Sequence, residues 1–596
     1  MKLKKILSAV TAFAVCSSMT LAALGCNKDD GDKPDCMPVN TETYDIPEDY
    51  CRTYYEVFVR SFSDSDGDGI GDIRGLINNL DYLNDGDPST MSDLGVNAIW
   101  MMPINQAGSY HKYDVIDYKS IDREYGTLDD FDDLVTECNK RGIWLQMDLV
   151  LNHTSRQHPW FQAALDGLGK KGDKAAEDAV DHYTFVEASS STDLPQKGSW
   201  YKAGKKSVSG KDYYYLGNFS SDMPDVNLAN ENVQKDIKEI VDFWLERGIK
   251  SFRLDAVPWA FDNEVQECGG SNLEFWTWFN DYCNSKGAEV AEAQGWDSDG
   301  IARYCYNVGE VLTSSSVVIN SYYETGMSNF SFSLSGSKDN GFAGVAKGYS
   351  NSGGWGMASR LTNLQTEVLE KDQNAILSNV LSNHDMDRLA KYFGDDVTAK
   401  IAAGLYLLAP GNPYIYYGEE IGMAGTGNDP SKRISFNWGD SSKGITDGPS
   451  GVDYKGDQPF GSWRTQKSDS DSILTYYRYA IRLRNMFPEI GRGTIAPYAL
   501  DGSGKLATLS EVRGDQQRAP HLINTANMDI CAYTLTWNDR TVLIVHNIGE
   551  ESVTVDTSGF AGYSVVGSLK ADGGEVSMSG SSLTLPAASV AVLKAA

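Results

Sequence analysis

The sequence predicts an α/β fold: a (β/α)8 TIM barrel that carries a small inserted domain and is followed by an all-β C-terminal domain. Between residue 51 and about residue 425, short apolar runs alternate with amphipathic stretches. This alternation is typical of a parallel sheet covered by helices. Most of the apolar runs end in acidic or polar residues, and in a barrel the C-terminal strand ends meet at the face where active sites lie.

Seven apolar runs predict individual strands. The first, YYEVFVRSF, is rich in aromatic and β-branched residues, and the helix-like IRGLINNLDYL follows it after a short loop. The later runs are AIWMMPI, GIWLQMDLVLNH, SFRLDAV, YNVGEVL, VLSNHD and PYIYYGEE. The polar residues at or near the ends of these runs include Asp148, Asn152, His153, Asp255, Glu310, His384 and Asp385. Acids that close successive buried strands are poorly explained as solvated surface, so these residues are candidates for one site.

The domain boundaries follow from changes in pattern. The chain between Asp148 and Asp255 is too long for one helix. Its first part, roughly residues 156–224, is rich in Gly, Ser, Lys and Tyr and predicts an irregular β domain, domain B, over the barrel mouth. After residue 490 the segments alternate and turn often, so residues 491–596 predict a β domain. The barrel then occupies residues 51–490.

The N-terminus has the composition of a targeting segment. MKLKK is basic, and the apolar stretch that follows is too short for a comfortable membrane span. LAALGC, which ends at Cys26, resembles a bacterial lipobox. We therefore expect a signal peptide at residues 1–25, lipidation of Cys26 and a polar tether at residues 26–50. The alternative is an ordinary secretory signal in which Cys26 is incidental.

The overall charge limits the classes of partner. The chain has 596 residues and a formal net charge of −30. Nucleic-acid binding needs Lys and Arg to contact phosphates, so this balance disfavours it. An uncharged substrate or a metal ion fits the composition better. We expect an exported monomer, at the cell surface or outer membrane or otherwise secreted, that contacts the membrane only through its lipid anchor.

The loop after the first predicted strand, DSDGDGIGD, predicts a calcium site. Its acidic residues alternate with small ones, and hard cations need several oxygen ligands. An EF-hand is not expected, because Gly75 occupies the position of the bidentate Glu and a strand rather than a helix precedes the loop. The predicted ligands are Asp64, Asp66, Asp68, the carbonyl of Ile70, and Asp72.

Seven motifs, taken together, resemble the α-amylase family, glycoside hydrolase family 13. In chain order they are LGVNAIWMMPI, DLVLNH, MPDVN, FRLDA, VGEV, SNHD and GNPYIYYGEE. MPDVN resembles the marker of branches intermediate between α-amylases and oligo-1,6-glucosidases. The resemblance covers nearly all of the chain past residue 51. It implies the barrel, domain B after the third strand, and a structural calcium clip at the DSDGDGIGD loop.

The resemblance also implies three catalytic carboxylates. Asp255 matches the nucleophile, Glu310 the general acid/base, and Asp385 the carboxylate that holds sugar hydroxyls. Glycosidic cleavage with retention needs a nucleophile and an acid about 5 Å apart. Arg253 lies two residues before Asp255, on the same strand face, and can hold Asp255 ionised. Glu310 follows an apolar strand, where desolvation would raise its pKa.

Other motif positions imply a sugar-binding shell. His153 and His384 match hydroxyl-binding histidines, and Tyr113 matches a tyrosine that stacks on the sugar before the cleaved bond. Asp114, next to Tyr113, is a further candidate for a sugar hydroxyl. Asn152 matches a ligand of a second calcium in many family members, with Asp225 as its candidate partner.

The segment after the nucleophile departs from the α-amylase pattern Asp-Ala-x-Lys-His. Here Pro258 replaces the Lys that binds sugar beyond the cleavage point, and Trp259 replaces the His that supports the second calcium. The second calcium site at Asn152 and Asp225 is therefore doubtful. Trp259 either offers a stacking face for sugar or packs in the protein, and the sequence leaves both open.

These features predict a retaining hydrolase of α-1,4-glucosidic bonds in starch, glycogen or malto-oligosaccharides, with Ca²⁺ as its metal. Within the class, the alternatives are an α-glucosidase, a neopullulanase-like enzyme or a glucosyl-transferring relative. From another class, the alternative is a non-catalytic glycan-binding homologue. The intact Asp255, Glu310 and Asp385 argue against that reading.

Overall fold

The structure is a computed structural model that describes residue 44 and residues 47–261, 270–296, 303–313, 315–335, 340–514 and 517–595. The predicted signal peptide and Cys26 lie outside these residues, as does most of the predicted tether. Within the described part of the chain, no helix has the length and apolarity needed to cross a bilayer.

Eight parallel strands form the central sheet. Numbered in chain order, they are β1 (Tyr54–Val57), β2 (Ala98–Met101), β3 (Trp144–Leu149), β4 (Ile249–Leu254), β5 (Val308–Gly309), β6 (Ser328–Asn329), β7 (Ser378–Val380) and β8 (Asn412–Tyr416). Each strand pairs with its sequence neighbour, β1 pairs with β8, and a parallel bridge from Phe330 to Ser378 joins the ends of β6 and β7. The sheet therefore closes into the predicted barrel.

Helices follow the strands, and most of the longer ones cover the barrel's outside. The described helices are Val59–Phe62, Ile73–Asn78, Leu80–Leu83, Leu128–Lys140, Pro159–Gly167, Lys174–Val180, Glu231–Glu246, Gly270–Gln294, Ser316–Ser321, Phe342–Ala346, Gly353–Lys371, Ala390–Phe393, Asp396–Leu407, Asp429–Lys432, Trp463–Gln466, Ile473–Met486, Glu489–Arg492 and Leu509–Arg513. Glu231–Glu246 shows why such helices dock: its buried residues recur at helical spacing, and Asn230 caps its N-terminus.

The interior of the barrel contains an apolar layer beneath a polar one. Side chains alternate between the two faces of a strand, so every second residue points inward. The apolar layer is an aromatic and aliphatic cluster of Tyr54, Ala98, Trp100, Tyr306, Val308, Phe330, Val380 and Tyr414. One step further along β1 and β4, Glu56 and Arg253 bring charge into the barrel, and both are almost completely buried. These charges need partners inside the fold.

Three further β regions complete the fold. Between β3 and β4, the strands Phe185–Ala188, Trp200–Lys206 and Asp212–Leu216 form a small antiparallel sheet, and a two-stranded ribbon, Gln106–Ala107 and Val115–Asp117, follows β2. The C-terminal strands are Thr494–Leu500, Leu506–Thr508, Ile530–Trp537, Arg540–Asn547, Val553–Asp556, Tyr563–Lys570, Ser577–Ser579, Ser582–Leu585 and Ser589–Ala595. They form sheets of six and three strands around a common apolar core. The predicted fold class is confirmed.

The sequence did not predict β6, and several predicted strands are longer than those in the structure. Ser328 and Asn329 carry no apolar signal. They are buried because their side chains donate to the backbone carbonyls of Ile376 and Ile319. The predicted VLSNHD run also contributes only Val380 to β7, so His384 and Asp385 lie in the loop that follows.

Candidate active site

A buried guanidinium stands at the centre of the polar layer. One nitrogen of Arg253, Nη1, lies 2.9 Å from Asp148 Oδ1 and 2.8 Å from Asp255 Oδ1. The other, Nη2, lies 3.0 Å from Glu310 Oε2. Arg253 has no solvent exposure, and its Cζ is 5.3 Å from the ring centroid of Trp100. A single cation therefore contacts three carboxylates.

Strand register explains why these side chains meet. Asp148 of β3 is the cross-strand partner of Arg253 in β4, and Arg253 is the partner of Val308 in β5. Asp255 and Glu310 follow two residues beyond these last partners, so they stand at the same height at the barrel mouth. The structure thus brings together the predicted Arg253, Asp255 and Glu310.

One positive charge cannot balance three buried carboxylates, so a proton is retained among them. Burial raises the pKa of Glu310 to about 7, with Arg253 opposing and Asp255 reinforcing the rise. Burial also raises the pKa of Asp148 to about 6, against the attraction of Arg253. Glu310 is consequently a carboxylic acid that can donate a proton near neutral pH.

A second chain of charges holds Asp385. His384 Nε2 lies 3.0 Å from Asp385 Oδ2, and Arg433 Nη2 lies 2.7 Å from Asp385 Oδ1. Burial raises the pKa of Asp385, but His384 and Arg433 outweigh it and hold the pKa well below its usual range. The side chain nevertheless remains 40% exposed, so it is an anion that can still meet a ligand.

His384 contacts acidic side chains through both ring nitrogens. Its Nδ1 lies 2.6 Å from Glu56 Oε1, on the side opposite Asp385. Burial lowers the pKa of His384. The opposing effect of Asp385 and Glu56 is larger and raises this pKa to about 10.

Tyr113 links the two charge systems. Its hydroxyl donates to Asp148 Oδ2 at 2.9 Å and lies 2.8 Å from His384 Nε2, and its ring stacks on that of His384. The neighbouring Asp114 has a different setting, because it accepts the backbone N–H groups of Gly108 and Ser109. Asp114 therefore orders its own loop in this structure.

The predicted His153 and Trp259 lie beside an exposed aromatic residue that the sequence analysis missed. The Phe219 ring is 5.0 Å from His153 and 5.5 Å from Trp259, centroid to centroid. Phe219 is 46% exposed, which is unusual for so large an apolar side chain. Ala256, directly after Asp255, has a left-handed φ of 49°, and this turn starts the short 3-10 helix Val257–Trp259. The backbone thereby turns Trp259 toward Phe219.

At the doubtful second calcium site, the structure shows protein hydrogen bonds around Asp225 and Asn152. Asp225 accepts a hydrogen bond from Asn218 Nδ2 at 2.6 Å, and its backbone bridges His153. Asn152 is buried beside His153.

At the DSDGDGIGD loop, carboxylates do converge. Among the described residues, Asp64, Asp66 and Asp72 are the one group of three metal-binding side chains, each offering an oxygen within 4.8 Å of the others. This donor set fits a hard cation such as Ca²⁺. Asp68 lies outside the group, and its Oδ1 accepts the N–H of Ile70. The loop leads into the helix Ile73–Asn78, which Asp72 caps.

A barrel that places a Glu with a raised pKa beside an Asp at its C-terminal face has the architecture of a glycoside hydrolase. Residues 56–493 match the family model of the α-amylase catalytic domain. Alpha-amylase 3 of Dictyoglomus thermophilum is 33% identical over 83% of this chain and 84% of its own length. The oligo-1,6-glucosidase of Parageobacillus thermoglucosidasius is 30% identical over 74% of this chain and 84% of its own. The structure of Eubacterium rectale Amy13B aligns with a TM-score of 0.80 at 34% identity, over 95% of this chain and 99% of that one. The chain belongs to the α-amylase family, as its motifs predicted.

Activity should fall as pH rises through about 7. The raised pKa of Glu310 means that the proton-donating form is present below about pH 7 and is lost above it. The test is kcat/KM for a glycoside substrate measured from pH 4 to pH 10, in roughly half-unit steps, which reports the ionisations of the free enzyme. A profile that stays flat to about pH 9 would contradict this role for Glu310.

Proposed function

We propose that the protein is a retaining hydrolase of α-1,4-linked glucans such as starch, glycogen and malto-oligosaccharides. The observation that carries the proposal is the sharing of Arg253 by Asp255 and Glu310. The shared guanidinium is compatible with the short separation of about 5 Å that retaining enzymes use. An α-amylase among the relatives supports the α-1,4 preference.

In this proposal the two carboxylates act in sequence. Asp255 attacks the anomeric carbon while Glu310 gives its proton to the leaving oxygen, which forms a glycosyl ester on Asp255. Glu310, now ionised, takes a proton from water, and that water releases the sugar with its original anomeric configuration. Arg253 holds the Asp255 side chain in position through its 2.8 Å contact with Oδ1. Asp385, with His384 and Tyr113, holds the sugar before the cleaved bond.

We place the leaving-group sugars against Phe219 and Trp259. Both residues lie near the C-terminal face of the barrel. Phe219 comes from the inserted region, and Trp259 lies four residues after Asp255. Exposed aromatic faces bind sugar rings well, because they bury apolar surface without needing a fixed hydrogen-bond partner. Such a surface also suits a sugar acceptor, and an acceptor that replaced water would give glucosyl transfer.

Calcium and an anchor complete the proposal. Asp64, Asp66 and Asp72 would hold Ca²⁺, which would offset most of the charge of these converging carboxylates and fix the loop between the helices Val59–Phe62 and Ile73–Asn78. Its role is structural, since the loop residues are not among the contacts of Arg253 or Asp385. Export with lipidation of Cys26 would bring the enzyme to extracellular glucan, and the basic and apolar N-terminus supports this.

Substituting the nucleophile tests the chemistry. Asp255→Asn should lower kcat on maltoheptaose roughly 10³-fold or more, because no covalent intermediate can form. The fold should be unchanged by circular dichroism, and Asp117→Asn, an exposed carboxylate, is the matched control. Proton NMR of early wild-type products should show the α-anomer. An initial β-anomer, or near-normal activity of the variant, refutes the assignment.

The aromatic pair should matter more for long substrates. Phe219→Ala and Trp259→Ala should each lower kcat/KM on maltoheptaose about fivefold, since one aromatic contact contributes about 1 kcal/mol. Phe219→Tyr keeps the ring and should retain activity, and Val208→Ala is an exposed control in the same inserted region. Product analysis will also show whether transfer products disappear. Equal effects of Phe219→Ala and Val208→Ala would argue against sugar binding by Phe219 and Trp259.

Removing calcium should lower the melting temperature. A ligand present at 100 times its dissociation constant stabilises the folded state by about 2.7 kcal/mol. Calorimetry with EDTA and with excess Ca²⁺ should therefore give Tm values that differ by a few degrees. Asp66→Asn should abolish most of the difference, whereas Asp87→Asn, in another exposed acidic loop, should not. A Tm independent of Ca²⁺ contradicts the proposed site.

A further inference from the structure

Glu56 is a buried carboxylate whose role lies outside the nucleophile and acid pair. It is the one charged residue of β1, and it points into the barrel between strands β2 and β8. It is 1% exposed, its Oε1 contacts His384, and its Oε2 is buried without a hydrogen-bond partner. A carboxylate inside a barrel is costly unless it is paired. Its ion pair with His384 therefore offsets the cost of burying this carboxylate.

The geometry around His384 favours a ring that is protonated on both nitrogens. Nδ1 faces a carboxylate oxygen of Glu56 at 2.6 Å, and Nε2 faces one of Asp385 at 3.0 Å. The Tyr113 hydroxyl is also near Nε2, but it donates its own proton to Asp148 and so accepts from the ring. A neutral imidazole has one N–H and can donate on one side alone. Both contacts are satisfied when the ring is an imidazolium.

We propose that Glu56 is a positioning residue that holds His384 as an imidazolium, so that His384 Nε2 fixes the Asp385 carboxylate toward the bound sugar. The proposal completes an alternating row of charges, Glu56, His384, Asp385 and Arg433, that runs from the barrel interior to its mouth. Its effect on catalysis rests on the proposed function, in which Asp385 holds sugar hydroxyls.

Each element packed around His384 adds to this electrostatic arrangement. β1 contributes Glu56, the loop after β2 contributes Tyr113, and the Trp100 ring of β2 packs edge-on against the imidazole. Asp148 on β3 acts through the Tyr113 hydroxyl, and the carbonyl of His384 itself accepts a hydrogen bond from Arg433. The two direct ionic contacts of the ring are both carboxylates.

Glu56→Gln is the sharpest variant, because it keeps shape and hydrogen-bonding capacity but removes the charge. His384 then loses its nearer carboxylate, and its pKa falls toward the ordinary histidine range. Above the new pKa, His384 becomes neutral and its ionic contact with Asp385 is lost. One pH unit above the new pKa, about one-tenth of the rings remain imidazolium, so kcat/KM at that pH should lie about tenfold below the wild-type value.

The matched control is Glu420→Gln. Glu420 is also fully buried and also bonded to side chains, namely the hydroxyls of Tyr55 and Tyr82, but it lies outside the charge row. A merely structural effect of losing a buried carboxylate should appear in both variants as a lower Tm. A second ionisation on the alkaline limb of the kcat/KM profile should appear only in Glu56→Gln.

The protonation state can be read without activity. In full-length protein labelled with ¹⁵N-histidine, His384 is assigned by its loss in His384→Gln. Both nitrogens should be protonated in the wild type across the active pH range, and the ring should deprotonate at lower pH in Glu56→Gln. A wild-type ring that is neutral near pH 7, or one that titrates identically in Glu56→Gln, overturns the proposal. If the wild type failed to cleave glucans, the proposed function would fail while this NMR result still decided the Glu56–His384 pairing.

Discussion

The structure depends on one constraint: the single buried guanidinium of Arg253 must satisfy three carboxylates. Asp148, Asp255 and Glu310 all lie within 3.0 Å of it, in a part of the barrel closed to solvent on one side. In a low-dielectric interior the net negative charge is unfavourable, so one carboxyl keeps its proton. The raised pKa of Glu310 makes this group the acid that glycosidic cleavage needs, beside the Asp255 carboxyl. The chemistry follows from charge balance more than from any one residue's intrinsic acidity.

The barrel makes this arrangement because its strands are parallel and closed. Neighbouring strands deliver their C-terminal residues to the same height, and the aromatic layer below excludes water from beneath the site. The alternating charges of Glu56, His384, Asp385 and Arg433 then organise the opposite wall of the mouth. The two systems meet at the Tyr113 hydroxyl, which contacts both Asp148 and His384. A substitution in one of these charge systems is therefore expected to alter the pKa values in the other.

The sequence predicted the features that depend on residues close together in the chain. Asp255 and Glu310 end apolar strands, and the spacing of Arg253 follows from the period of a strand. The roles of Glu56, Arg433 and Phe219 were not predictable in this way, because they depend on contacts between residues that are distant in sequence. Glu56 meets His384 from 328 positions away. A lone charge in the apolar YYEV segment was the one local signal, and it does not name its partner. The pairing of β6 was missed for a similar reason, since buried hydrogen bonds rather than apolar side chains stabilise it.

The central claim, that one proton is retained on Glu310, can be tested directly by infrared difference spectroscopy. Buried protonated carboxyl groups have a carbonyl stretch distinct from that of carboxylates. Burial also raises the pKa values of Asp148, Asp93 and Glu419, so the informative signal is the wild-type spectrum minus the Glu310→Gln spectrum, in which bands common to both proteins cancel. We expect a protonated-carboxyl band in this difference between about pH 6 and pH 7, and its loss as pH rises through about 7. A difference spectrum without the band in that pH range, or a band that does not change as pH rises to about 9, would contradict a proton retained on Glu310.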